Sequence, residues 1–274
     1  MPPNEIQSIF IIRHGDRWDY AHPEWRANAQ RPGDPPLSTL GHQQARETGA
    51  FLDTLFAEEG ISAENVTWLS SPFLRTLQTS DDMLNCFSKV DMDSVVINPE
   101  NSVWELDGHD GKLHGDLPPI EERKNYFPRV NAEYESLFTP DLPEARPDFL
   151  GRCDKAINLL NQRFPYRPGT AIVIVSHAAA CVGLARAGAG VTLQEVNPPG
   201  PCSVYRLTRT SNTEAWDLDH YSDKQGLNAK SKHLSVIGTT TVPWNNFGNK
   251  AVNKGYTGPP WATGAKGAPK VDEL

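Results

Sequence analysis

Three stretches of this chain, residues 8–13 (Ser-Ile-Phe-Ile-Ile-Arg), 66–70 (Val-Thr-Trp-Leu-Ser) and 171–176 (Ala-Ile-Val-Ile-Val-Ser), are short and almost wholly apolar. A run of that kind offers water no polar face, so it reads as a strand covered on both sides, as in a parallel sheet between helical layers. Helical patterns separate these strands. Residues 38–59 carry Leu40, Ala45, Phe51, Leu52, Leu55 and Phe56 at near-helical spacing, with Gly60 as the stop. Ser71-Pro72 predicts an N-cap and first-turn proline opening a helix to about Phe87. A third strand is expected at 95–98. A helix follows at 148–163, buried through Phe149, Cys153, Ile157 and Leu160, and a small-residue helix runs after His177 to about Ala189. Further strands are expected at 202–208 and around Trp216. This alternation predicts a three-layer α/β/α fold with a mostly parallel central sheet.

A length of 274 residues with 38% hydrophobic side chains suits one such core and excludes wholesale disorder. We expect a single domain over 1–242, broken where periodicity fails at about 106–147 by an inserted loop or small cap. Residues 243–274 are rich in Gly and Pro around Trp244, Phe247, Tyr256 and Trp261, and read as a tail or a docked strap. No apolar run reaches the roughly 18 to 20 residues that span a bilayer, and the N-terminus lacks a signal-peptide pattern. The expected location is the cytoplasm, with the nucleus as the alternative. Cys86, Cys153, Cys181 and Cys202 form no C-x-x-C pair and read as reduced thiols rather than a zinc site. A formal charge of -8 repels polyanions, so neither nucleic acid nor a membrane is an expected partner, while a homodimer is compatible with the sequence.

In an open parallel sheet, ligands sit beyond the carboxyl ends of the strands. Here those ends carry Arg13-His14-Gly15-Asp16-Arg17, Ser70-Ser71-Pro72 with Arg75, and Ser176-His177. Two histidines and three arginines converging at one edge would line a phosphate pocket, because a guanidinium fork matches phosphate oxygens bidentately. Gly15 beside His14 would allow close backbone approach to the ligand. Asp107, His109, Asp110 and His114 could suggest a metal, but their irregular spacing reads as solvated residues, so no metal or cofactor is expected.

The motifs Arg13-His14-Gly15, the segment 36–45 with Gly41 and Ala45, Ser70-Ser71-Pro72 with Arg75, Gln78-Thr79, and Val175-Ser176-His177 together resemble the histidine phosphatase superfamily, the phosphoglycerate-mutase-like fold of branch 1. The pentad 13–17 is similar to the Arg-His-Gly-Glu-Arg of the suppressors of T-cell-receptor signalling. His177 followed by alanines resembles the phosphatase-like small tau subunit of transcription factor IIIC. Acid phosphatases and phytases of the other branch share an arginine at Arg17 but carry His-Asp where this chain has His177-Ala178.

The resemblance implies a metal-independent phosphoric monoester hydrolase. His14 would be the nucleophile, forming a phosphohistidine; Arg13, Arg17, Arg75 and protonated His177 would hold the phosphoryl oxygens. Glu105, which matches the family's acid after the third strand, would protonate the leaving group, its pKa raised beside Trp104. Asp16 and Asp107 are the alternative acids, Asp16 being expected to orient Arg17. The expected substrate is a phosphorylated small molecule or a phosphoprotein, including a phosphotyrosine stacked on Trp104, Tyr126, Phe127 or Tyr134, unless those aromatics form a small core of the insert. A phosphoglycerate mutase-type phosphotransferase and a non-catalytic interaction module are the alternative functions.

Overall fold

A computed structural model describes residues 5–106, 117–196, 198–212 and 216–218. Asp107, His109, Asp110, His114 and the expected tail at 243–274 lie outside the described residues. In chain order the elements are β1 (Gln7–Arg13), α1 (Trp18–Ala21), α2 (Thr39–Glu59), β2 (Val66–Ser70), α3 (Leu74–Leu84), β3 (Ile97–Pro99), α4 (Ile120–Tyr126), α5 (Arg146–Arg163), β4 (Ala171–Ser176), α6 (Ala178–Ala189), β5 (Val204–Arg209) and β6 (Asp217–Leu218). They build one six-stranded sheet in the order β3-β2-β4-β1-β5-β6. β3, β2, β4 and β1 run parallel, and β5 and β6 close the other edge antiparallel. The three-layer α/β/α reading holds.

Strand alternation explains why both faces are covered. Phe10 and Ile12 of β1, with Val173 and Val175 of β4, pack against Leu52, Leu55 and Phe56 of α2 and Leu74 and Leu77 of α3. Their neighbours Ile9, Ile11, Ile172 and Ile174 point the opposite way, onto Phe149, Cys153, Ile157 and Leu160 of α5 and Cys181 and Leu184 of α6. The chain leaving β1 thus enters the α2 layer, while the chain leaving β4 enters the α6 layer. Adjacent strands whose exits diverge to opposite faces leave a crevice between them, the usual ligand position in such sheets. The register brings the exits level, since Arg13 pairs with Ser176, and Ile12 and Ser70 each pair with Val175.

Several boundaries differ from the sequence reading. Helix α3 begins at Leu74, not at Ser71-Pro72, because its first turn is capped from outside: Leu74 N–H donates to Asp34 Oδ1 at 2.8 Å. The third strand is Ile97–Pro99, two residues later at its start than 95–98, since Val95 turns into the core before pairing begins. β5 starts at Val204, because Cys202 sits at φ 56° in the turn ahead of it. Within the expected insert, α4 is followed by Phe127 and Val130 buried in the α2–α3 core, with Val130 bridging to Ile97 at the sheet edge. Phe127 and Tyr134 thus join the cores on the two faces of the sheet rather than a separate core of the insert: Phe127 packs on the α2–α3 side, and Tyr134 on the α5–α6 side, its hydroxyl donating to buried Glu100 at 2.7 Å. The four cysteines are free thiols. No described helix is long and apolar enough to cross a membrane.

Candidate active site

The crevice between β1 and β4 holds His14 and His177, both buried, their rings edge-on with centroids 5.4 Å apart. His14 N–H donates to Ser176 O at 2.9 Å and Ser71 N–H to Val175 O at 2.8 Å, so β1, β2 and β4 are tied together at the point where each delivers its polar residue. His14 Nδ1 lies 2.7 Å from Gly15 O. A backbone carbonyl can only accept, so Nδ1 carries the proton and Nε2 keeps its lone pair. Burial, then the charges of Arg75, Arg13 and Arg17, hold the His14 ring well below the usual histidine range. The ring is therefore neutral at neutral pH.

The loop carrying His14 is clamped by the first two helices. A Cβ on Gly15 would stand 2.5 Å from Gly41 O, and one on Gly41 would stand 2.2 Å from Asp16 O. Close approach at Gly15 is thus made to the first turn of α2, not to a ligand as the sequence suggested. Gly15 N–H donates to Thr79 Oγ1 at 3.1 Å and Asp16 N–H to Gln44 Oε1 at 2.9 Å. Ser38 caps α2 by accepting from Gly41 N–H and donates its own hydroxyl to Asp16 Oδ2 at 2.8 Å. This corrects the role expected for Asp16: it binds the helix cap. Arg17 is oriented by Asp19 through two hydrogen bonds of 3.0 and 2.8 Å. Burial opposes the charge on Arg17, but Asp19 more than offsets it and raises its pKa.

Arg75 is fully buried, 4.6 Å over the Phe73 ring, with Asp34 Oδ1 at 3.6 Å and Gly33 O at 3.4 Å. Its Nε and Nη2 have no hydrogen-bond partner among the described residues. Burial, followed by the like charge of Arg17, pushes its pKa down to about 10. Asp34 answers in kind, burial lifting its carboxyl to about 6 against the pull of Arg75. Arg13 contributes charge beside His14 and donates from Nη1 to Pro199 O at 3.0 Å. His177 Nε2 sits 2.8 Å from Ser71 Oγ, and its ring stands edge-on to Phe73 at 5.0 Å, with Trp104 edge-on to that same ring at 4.9 Å.

Glu105 comes from the opposite side. Its Oε2 lies 3.7 Å from His177 Nδ1 and its Oε1 accepts from Leu106 N–H at 3.1 Å. The backbone that presents it is pinned by Arg152 of α5, which donates to Ser102 O at 2.9 Å, Trp104 O at 3.0 Å and Glu105 O at 3.1 Å while its fork binds buried Glu144. All six expected site residues therefore meet at one edge of the sheet. Asp19, Asp34 and Arg152 are the partners that sequence reasoning left without roles, and Ser71, read there as an N-cap, meets His177 instead. Arg152 was findable: it falls on the buried stripe of α5 between Phe149, Cys153 and Ala156, where a charge requires partners. Among the described residues no cluster of His, Cys, Asp and Glu could hold a metal ion.

Solved structures share this arrangement at the level of fold. The chain is similar to the ecdysone phosphate phosphatase of Bombix mori solved with tungstate, at 22% identity and TM-score 0.62, over 78% of this chain and 92% of that one. A second is Bacillus stearothermophilus YhfR, at 18% identity and TM-score 0.50, over 77% and 95%. No curated protein sequence matches significantly. The sequence profile of the histidine phosphatase superfamily (branch 1) matches residues 9–224, which is most of the chain and contains every residue of the site just described, so the chain belongs to that superfamily.

Proposed function

We propose that the chain is a phosphomonoesterase working through a phosphohistidine on His14. The observation that carries this reading is the state of His14: a neutral ring, its Nδ1 proton engaged by Gly15 O, with the Nε2 lone pair left for attack under the charge of three arginines. The Nε2 lone pair forms a bond to phosphorus while the ester P–O bond breaks in line, its electron pair leaving with the alcohol oxygen. Glu105, in its acid form, gives that oxygen a proton. Arg13, Arg17, Arg75 and His177, the last with a proton on each ring nitrogen, hold the equatorial oxygens and spread their charge. In the second half, Glu105 as carboxylate takes a proton from water, the water oxygen attacks phosphorus, and the P–N bond electrons return to Nε2. Every proton and electron pair is accounted for by the chain's own groups.

Membership of the histidine phosphatase superfamily supports phosphatase chemistry. The test is turnover of p-nitrophenyl phosphate by wild type and His14→Ala side by side, with chelator present, and trapping of the phosphoenzyme by rapid quench in alkaline detergent, followed by a check of its lability to acid. Turnover and an acid-labile phosphoenzyme in the wild type, both absent in His14→Ala, are expected. Equal turnover by the two proteins, or none by the wild type between pH 5 and pH 8, would overturn the assignment.

A further inference from the structure

Beside the phosphoryl site, at the N-terminal ends of α5 and α6, lies a cavity of ≈ 570 Å³. Three of its wall residues are the immediate neighbours of proposed catalytic groups: Arg13 precedes His14, Leu106 follows Glu105 and Ala178 follows His177. Phe149, Val182 and Leu193 belong to the remaining wall, and among the described residues every side chain lining it apart from Arg13 and Arg146 is apolar or a glycine. Its size falls in the range that encloses small molecules, roughly 300 to 1,000 Å³.

We infer that this cavity receives the alcohol portion of the substrate, and that the enzyme selects phosphomonoesters of bulky, uncharged, apolar alcohols. The inference rests on the phosphatase reading above. Glu105 must meet the leaving oxygen to protonate it, so that oxygen lies at the Glu105 side of the phosphoryl group. Leu106, whose N–H bonds the Glu105 side chain, lines the cavity and so sets it on that same side. A sugar or a glycolytic acid would leave its hydroxyls or carboxylate against Leu106, Phe149 and Val182 with no partner, whereas a ring system would be stabilised by removal from water. The two arginines sit one on the phosphoryl side and one on the N-terminal turn of α5, so neither breaks the apolar stretch between them.

The experiment compares kcat/KM for phenyl phosphate and 4-phenylphenyl phosphate, two esters of closely similar leaving-group acidity that differ by one ring, and for glycerol 2-phosphate as a polar control. The full chain is expected to prefer the biphenyl ester over phenyl phosphate by about tenfold or more, in line with the discrimination apolar pockets achieve for small increments of surface. Val182→Trp, which would fill the cavity from α6, should bring that ratio close to one, and Leu193→Trp should do the same from the loop after α6. A wild-type ratio near one, or a ratio retained in both variants, would overturn the cavity assignment while leaving the phosphatase reading intact, because phenyl phosphate would still be turned over. Absence of turnover for all three esters would instead overturn the phosphatase reading, and this inference with it.

Discussion

Replacing Arg75 with Met separates a ligand-binding arginine from a structural one. This guanidinium has no exposed surface, two of its nitrogens lack partners among the described residues, and the carboxylate of Asp34 is 3.6 Å away. Its pKa falls from 12.5 to about 10, so the charged form is disfavoured by about 3 kcal/mol, at roughly 1.4 kcal/mol per unit. A phosphate seated among Arg13, Arg17 and Arg75 would supply the missing acceptors and the opposite charge. Phosphate affinity should therefore fall by about a hundredfold in Arg75→Met, the equivalent of that energy. The unliganded variant should suffer little at pH 6, because Asp34, whose carboxyl titrates at about 6, can take up a proton once its partner has gone. Its Tm should stay within about 4 °C of wild type, some 1 kcal/mol for a domain of this size. Thermal unfolding against a phosphate titration at pH 6 reads both quantities. Loss of a plain buried ion pair costs about 3 to 5 kcal/mol. A Tm lower by 10 °C or more, with the phosphate response unchanged, would show that Arg75 serves Asp34 and not the ligand.

Two further outcomes follow from the same geometry. Glu105→Gln should slow alkyl and phenyl esters by about 10² or more and p-nitrophenyl phosphate far less, because a good leaving group needs little protonation; equal slowing across leaving groups would place the acid elsewhere. Asp34 holds its proton more tightly folded than unfolded, from 3.8 to about 6, so its contribution to stability is fully present below pH 3.8 and is lost as pH rises to about 6. Asp34→Asn should remove that dependence, gaining up to about 3 kcal/mol on wild type between pH 4 and pH 7; parallel urea-unfolding curves across that interval would contradict the assignment.

The layers were legible in the sequence because β1, β2 and β4 are buried on both faces and cannot be mistaken for amphipathic elements. β2 and β4 fall at the residues their apolar runs mark, and α2 ends at Gly60, whose φ of 69° explains the glycine. What the sequence hid were contacts made across long separations. Ser71-Pro72 looked like a cap, but the cap of α3 is Asp34, forty residues earlier, and Ser71 is turned to His177 instead. Asp16 was adjacent to Arg17 in sequence, yet successive residues leaving a strand diverge. Its partner is Ser38, and Arg17 pairs two residues onward with Asp19. The site residues themselves were legible because a parallel sheet sends them all to one edge. The residues that hold them, Arg152 apart, were not, since their chemistry is ordinary and only the fold makes them neighbours.

The two halves of the site are supported by different layers, and this bears on how the electrostatics work. The loop carrying His14 and the side chain of Arg75 are held from the α2–α3 side, by Gly41, Gln44, Thr79 and Asp34, and Arg17 by Asp19 of α1, whereas Glu105 is held from the α5 side by Arg152. Burial, with the field of the three arginines, keeps His14 unprotonated and so nucleophilic, and burial with the like charge of Arg17 leaves Arg75 poorly compensated. A phosphoryl group relieves the second condition. As its negative charge arrives it also weakens the first, drawing the His14 ring towards the protonated, unreactive form. The arrangement tolerates this because Nδ1 already bears its proton and attack uses Nε2 directly against phosphorus, leaving no room there for a competing proton. Neutrality of His14 is therefore needed only until the phosphoryl group is seated, and the same three guanidiniums that reinforce it then stabilise the transferring group.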